Sequence, residues 1–236
     1  MTLLFSHANG YPPESYRILL RALENERFAR VVRHAHRPLI STESAPLYFS
    51  WHILADDLIE RIQLDSLKPV WLVGHSMGAI VGILAASRRA DLFKGVIAID
   101  PVLIPTSSWF WSRIMMRIKP NAAPIVQKAL ARPHWFADKN SAFAFYREKR
   151  VFAGLSDEAL KDYIFAAHFN DRSGGIRLTY TGDWEACMYR SLPRISPALK
   201  KLRCPSLIIA GEQSRVLTRD RLEWALDVNP QIKKQI

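Results

Sequence analysis

The sequence predicts an α/β fold: a mostly parallel sheet interrupted by an inserted helical segment. Three observations carry that expectation. Pro69-Val70-Trp71-Leu72-Val73-Gly74-His75-Ser76-Met77-Gly78 reads as a buried strand entering a G-x-S-x-G turn, and the small, apolar stretch Ala79 to Ala90 suits a helix packed closely behind it. Leu3-Leu4-Phe5-Ser6 and Gly95-Val96-Ile97-Ala98-Ile99 are short apolar runs of the kind found in strands covered on both faces. From Val102 to about Lys200 the pattern turns helical, and Cys204 to Gly211 restores a strand.

The elements follow in order. The first strand runs into His7-Ala8-Asn9-Gly10-Tyr11-Pro12-Pro13, a loop marked by Gly and Pro, and Glu14 to Leu23 then shows helical spacing. Phe28 to Arg33 reads as a second strand. His34 and His36, in the loop after it, have no carboxylate or cysteine at ligand spacing and are expected to be solvated. Trp51 to Leu64 is an amphipathic helix with Ser50 as its N-cap. Helices are expected over Trp109 to Ile118, Ala122 to Ala131, Ala142 to Phe152 and Ser156 to Phe169, with no strand succession among them. The many aromatic residues there suit a small separate core, and His168 reads as a packed or surface residue. A helix over Leu222 to Val228 and the beginning of one more strand over Gln231 to Ile236 complete the chain.

Composition narrows the function. The 236 residues are nearly half hydrophobic, which is enough for a sizeable core. No apolar run reaches the roughly 18 to 20 residues of a membrane span, and Met1 to Phe5 lacks the features of a signal peptide, so a cytoplasmic location is expected. Cys187 and Cys204 fit no metal spacing. A net charge of +11 raises the question of nucleic acid, yet the basic residues (Arg21, Arg27, Arg30, Arg33, Arg88, Arg89, Lys149, Arg150, Lys200, Lys201) are scattered and no nucleic-acid module is recognisable. Neither a phosphate-cradling glycine loop nor a metal cluster is present, so no cofactor is expected.

The chemistry gathers at the strand ends. A serine at the centre of G-x-S-x-G sits on a sharp strand-to-helix bend that raises its hydroxyl above the sheet, making Ser76 the candidate nucleophile. Acyl transfer needs backbone N–H groups aimed at a developing negative oxygen, and the amides of Asn9 and Met77 are the candidates for that oxyanion hole. Asp100 lies at the carboxyl end of the next strand, on the edge where α/β sheets place their sites. It reads equally as an acid that orients a histidine and as a cap of the turn before Pro101.

The order of the His7-Ala8-Asn9-Gly10 loop, the Gly74-His75-Ser76-Met77-Gly78 elbow, the Asp100 strand end, the helical insertion and the Cys204-to-Gly211 strand resembles the α/β-hydrolase superfamily over nearly the whole chain. The resemblance implies a Ser-His-acid hydrolase: nucleophile Ser76, an oxyanion hole from Asn9 and Met77, a core of residues 1–101 and 201–236, and a cap of residues 102–200. It implies a small-molecule ester or other acyl compound as substrate. Two departures stand out. Where the family usually carries its acid, after the strand Ser206 to Gly211, this chain has Gly211-Glu212-Gln213-Ser214; some members, haloalkane dehalogenases among them, place the acid one strand earlier, which Asp100 matches. The family histidine follows the last strand, and no histidine follows His168 here. The expectation is therefore a shortened form of an active enzyme. The alternatives are a catalytically weak, ligand-binding relative and a different acyl acceptor, giving acyl transfer, perhydrolysis or carbon–carbon cleavage.

Overall fold

The computed structural model describes residues 1–236 apart from Arg27, Ser66 and Lys68, so Arg27, counted above among the scattered cations, lies outside the described residues. Strand β1 (Thr2–Ser6) is buried on both faces, and a 3-10 turn at Pro13–Tyr16 leads from it into helix α1 (Arg17–Glu26). Then follow β2 (Arg30–His34), the short α2 (Arg37–Ile40) and α3 (Trp51–Leu64). Helix α3 begins where its sequence says: the Ser50 hydroxyl accepts the His52 N–H, and Trp51, Leu54, Ala55, Leu58, Ile59 and Ile62 form its buried stripe. Strand β3 (Val70–His75) turns into α4 (Met77–Arg88), which is buried from Met77 to Ala86, and β4 (Phe93–Ile99) follows.

Between β4 and the next strand of the main sheet the chain forms α5 (Thr106–Ile118), α6 (Pro124–Leu130), β5 (Trp135–Phe136), α7 (Lys139–Arg147), α8 (Asp157–Ala167), β6 (His168–Asn170), β7 (Ile176–Leu178), α9 (Gly182–Arg190) and α10 (Ser196–Lys201). Strand β8 (Ser206–Ile209), α11 (Arg219–Val228) and β9 (Lys233–Gln235) complete it. The main sheet has the order β2-β1-β3-β4-β8-β9 with every neighbouring pair parallel, and β9 is the strand anticipated at Gln231 to Ile236. Parallel neighbours need crossover connections, and the helices that supply them cover the sheet and hold its apolar strands away from water.

Two expectations are corrected. The segment between β4 and β8 is not free of strands: β5, β7 and β6 pair antiparallel in a small sheet, and His168 begins β6 rather than lying on the preceding helix. Strands of two or three residues are too short to show alternation, so their periodicity could not be read. His168 is indeed packed, bonded to the Tyr146 hydroxyl at 3.2 Å and to the Ile164 carbonyl at 3.0 Å.

The second correction concerns His34 and His36, which are buried rather than solvated. The chain leaving β2 lies across the carboxyl end of β1, so that the His36 ring packs tilted against His7 at 4.6 Å and edge-on against His34 at 4.9 Å. The His36 N–H donates to His7 Nε2 at 3.0 Å, His7 Nδ1 faces the Ala8 carbonyl at 2.8 Å, and His36 Nε2 meets the Ser6 hydroxyl at 2.9 Å. Burial pushes the pKa of His7 and of His34 down to about 4, and that of His36 down as well. Neutral rings packed on one another can be buried where charged ones could not.

Candidate active site

The carboxyl edge of the sheet is built as a staircase. The N–H of Ser76, just past β3, donates to Ile99 O of β4 at 2.9 Å; that of Asp100, just past β4, donates to Ile209 O of β8 at 2.8 Å; that of Ala210 donates to Gln235 O of β9 at 2.9 Å. Each strand is thus held by its neighbour for one residue beyond its own end before the chain turns. Ser76 and Asp100 are the two non-glycine residues with positive φ among those described, at 50° and 45°. A side chain in that region costs about 1 to 3 kcal/mol and persists only where its surroundings impose it.

For Ser76 the imposition is visible. Its φ of 50° and ψ of −109° cap α4 at the end of β3, and the turn is tight enough that a Cβ on Gly78 would lie 2.0 Å from Ser6 O. Glycine at position 78 lets α4 start directly against β1. Ser76 itself is half-buried at the first turn of that helix, whose free N–H groups favour negative charge.

The oxyanion candidates differ in how they are held. Ala8 to Tyr11 forms a turn closed by Tyr11 N–H to Ala8 O at 3.2 Å, with Gly10 at φ 75°. The Asn9 side chain is committed elsewhere: its Nδ2 donates to Glu185 O at 3.0 Å, and its Oδ1 accepts from the Tyr180 hydroxyl at 2.6 Å. Those bonds fix the turn, while among the described residues no protein acceptor meets the amide N–H of Asn9 or of Met77.

Asp100, half-buried, receives the Ser214 hydroxyl on Oδ1 at 2.6 Å. Ser214 Oγ also accepts the N–H groups of Val216 and Leu217 at 3.1 and 3.0 Å. The two positions at which the sequence could place an acid are therefore in contact, and the serine at one of them serves the carboxylate at the other.

Sequence reasoning missed the bridge between the two halves of the site. The Tyr16 hydroxyl accepts the Ala8 N–H at 3.3 Å and shares a hydrogen bond with His75 Nδ1 at 2.7 Å, joining the Ala8–Tyr11 turn to the elbow. Burial lowers the pKa of His75 by disfavouring its cation. It missed equally the ion pair of Arg132 and Glu185, 2.6 Å apart, on which Gly10 rests. Nothing local marks either contact, because the partners are separated by 59 and 53 residues.

The profile of the alpha/beta hydrolase family matches residues 3–232, and the chain belongs to that family. Among curated relatives, the monoglyceride lipase of Homo sapiens is 28% identical over 145 residues, covering 55% of this chain and 47% of that protein. A monoglyceride lipase homolog of monkeypox virus is 29% identical over 99 residues, 39% of this chain and 36% of the relative. Ethanol acetyltransferase 1 of Hanseniaspora uvarum is 39% identical over 59 residues, 24% of this chain and 18% of its own. The chain thus spans less than half the length of each of these relatives. Among solved structures, E-2-(acetamidomethylene)succinate hydrolase superposes with a TM-score of 0.79 at 21% identity, covering 100% of this chain and 81% of that one. The thioesterase domain from the curacin biosynthetic pathway gives 0.77 at 19% identity, covering 99% and 83%. At such identities the likeness establishes the fold.

Proposed function

We propose that this protein is a serine hydrolase that cleaves a carboxylic ester or similar acyl compound through an acyl-enzyme on Ser76. The observation that carries the reading is the backbone of Ser76, forced to φ 50° at the head of α4, and it is supported by the amides of Asn9 and Met77, which meet no protein acceptor among the described residues. Ser76 Oγ attacks the acyl carbon, its proton passes to a base, and the carbonyl oxygen gathers negative charge against the two amides. Collapse expels the alcohol, which takes the proton, and water releases the acid by the same steps.

Asp100, held by Ser214, is the carboxylate that would orient an imidazole base and stabilise its cation. Among the described residues no imidazole bonds to Ser76: His75 is taken by Tyr16, and His7 by Ala8 and His36. Residues 102–200 serve in this reading as a cap over the strand ends, and the action is on a small molecule, with no cofactor.

The test is labelling by a fluorophosphonate, with and without imidazole as an external base. Covalent label should map to Ser76, form faster with imidazole and vanish in Ser76→Ala. No label under either condition would sink the reading. A second reading, transfer of the acyl group to an alcohol, is favoured by the short match to the ethanol acetyltransferase; ethyl ester formed from an activated acyl donor in ethanol would distinguish it.

A further inference from the structure

A cavity of about 630 Å³ opens beside the Ala8–Tyr11 turn, between Tyr11 and the segment formed by α6, α7 and α8. Its walls are aromatic, with Tyr11, Tyr146, Phe152 and Tyr163 in mutual ring contact at centroid distances from 4.7 to 5.9 Å. Its charge is one-sided. Lys128, Arg132, Lys149 and Arg150 line it against a single carboxylate, Glu185.

Arg132 lies at the centre of this arrangement. Its Nη1 donates to Glu185 at 2.6 Å, its Nη2 reaches the Tyr163 hydroxyl, and its guanidinium lies 5.9 Å from the Tyr146 and Tyr163 ring centres. A guanidinium has five N–H donors in a planar fork, so its bonds to Glu185, Tyr163 and Tyr146 still leave N–H groups for a further acceptor. Lys149 is held at the cavity by its own ring contact, 4.2 Å over Phe145. Once Glu185 has balanced Arg132, three cations remain without a carboxylate partner among the lining residues.

We propose that this cavity binds a small organic acid with an apolar body, its carboxylate on the Arg132, Lys149 and Arg150 side and its body along the aromatic wall. Because Gly10 packs on the Arg132–Glu185 pair and Tyr11 lines the cavity, the Arg132 end of the cavity adjoins the turn that carries the Asn9 amide. This deepens the reading of Ser76 as an acylated nucleophile, on which it rests: the acyl compounds favoured as substrates are those that also carry a free carboxylate. A volume of this size suits a molecule of that kind, since ligand sites commonly fall between about 300 and 1,000 Å³ and combine apolar walls with a few polar anchors.

The experiment is calorimetric titration of the protein with 4-phenylbutyrate and with its neutral counterpart 4-phenylbutanol. The acid should bind at least about tenfold more tightly at low salt, and the preference should shrink as sodium chloride is raised, as exposed charges are screened. Lys149→Gln/Arg150→Gln, at exposed positions, should reduce the preference to threefold or less, and Arg132→Gln/Glu185→Gln, which removes both charges of the pair together, should abolish it. Phenylbutyrate should also slow fluorophosphonate labelling of Ser76. Equal affinity for acid and alcohol, or a preference untouched in both variants, overturns the proposal. Preference in calorimetry with no labelling of Ser76 would instead overturn the hydrolase reading and leave an acid-binding protein.

Discussion

Ser214 Oγ lies 2.6 Å from Asp100 Oδ1 and joins the turn that leaves β8 to the turn that leaves β4. The same oxygen accepts two backbone N–H groups, so one hydroxyl completes a loop and holds a carboxylate in place. Ser214→Ala strands all three partners. Hydrogen bonds to charged groups contribute about 1.5 to 3 kcal/mol and neutral ones about 1, so a loss of about 2 kcal/mol is expected once water takes over part of the bonding. Urea unfolding of the variant beside the wild type measures it.

The strain at Ser76 has a testable signature. Glycine accepts a positive φ without the side-chain clash, and its extra backbone entropy in the unfolded chain costs only about 0.5 to 1 kcal/mol. Ser76→Gly should therefore be at least as stable as the wild type, while losing all fluorophosphonate label. A thermal midpoint lower by several degrees would show that the elbow stores no strain.

Gly78→Ala acts in the opposite direction. The new Cβ would stand 2.0 Å from Ser6 O and 2.7 Å from His7 O, both backbone atoms that cannot swing aside. Helix α4 must then move off β1. A loss of about 3 kcal/mol, at the upper end of overpacking effects, is expected in denaturant unfolding, with labelling of Ser76 reduced at least tenfold.

Tyr16→Phe keeps the ring against Phe5, 4.6 Å between centroids, and removes the hydroxyl that ties Ala8 to His75. The Ala8 N–H and the His75 nitrogen both lose their partner, a cost of about 1 to 3 kcal/mol. With the turn no longer fixed to the elbow, the rate of labelling at Ser76 should fall about tenfold. Unchanged labelling with reduced stability would assign Tyr16 to folding alone.

The buried histidines set a pH dependence whose sign is fixed. His7 and His34 have pKa values near 4 in the folded protein because burial disfavours their cations, against 6.5 when unfolded. Above pH 6.5 both states are neutral and stability is full. As the pH falls from about 6.5 to about 4, the unfolded chain takes up protons that the folded chain refuses, and stability is lost across that window, by about 3 kcal/mol for each group. Urea midpoints measured between pH 7.5 and 4 should show the fall, and His34→Leu should make it shallower by about one proton's worth.

Much of the architecture was legible because buried parallel strands announce themselves as short apolar runs. The strands at Leu3, Val70, Val96 and Ser206, and the capped helix from Trp51, stand close to where their residues predict. The G-x-S-x-G turn was legible because Gly74 answers a local steric demand, a Cβ there standing 2.6 Å from Gly78 O and from Ala79 N. The histidines at 34 and 36 misled because a loop was equated with water; their burial depends on β2 pairing with β1, whose partner residues, such as Ser6 and His34, are distant in sequence.

Local pattern thus determined which segments become strands and helices, and which serine stands at the bend, because those outcomes depend on neighbours a few positions apart. Tertiary structure alone decided the company of that serine: Asp100 beside Ser214, Tyr16 between Ala8 and His75, and Arg132 with Glu185 beneath Gly10. These contacts exist only after six parallel strands have aligned their carboxyl ends on one edge. No spacing in a linear chain encodes a hydrogen bond whose two ends meet only when the sheet is complete.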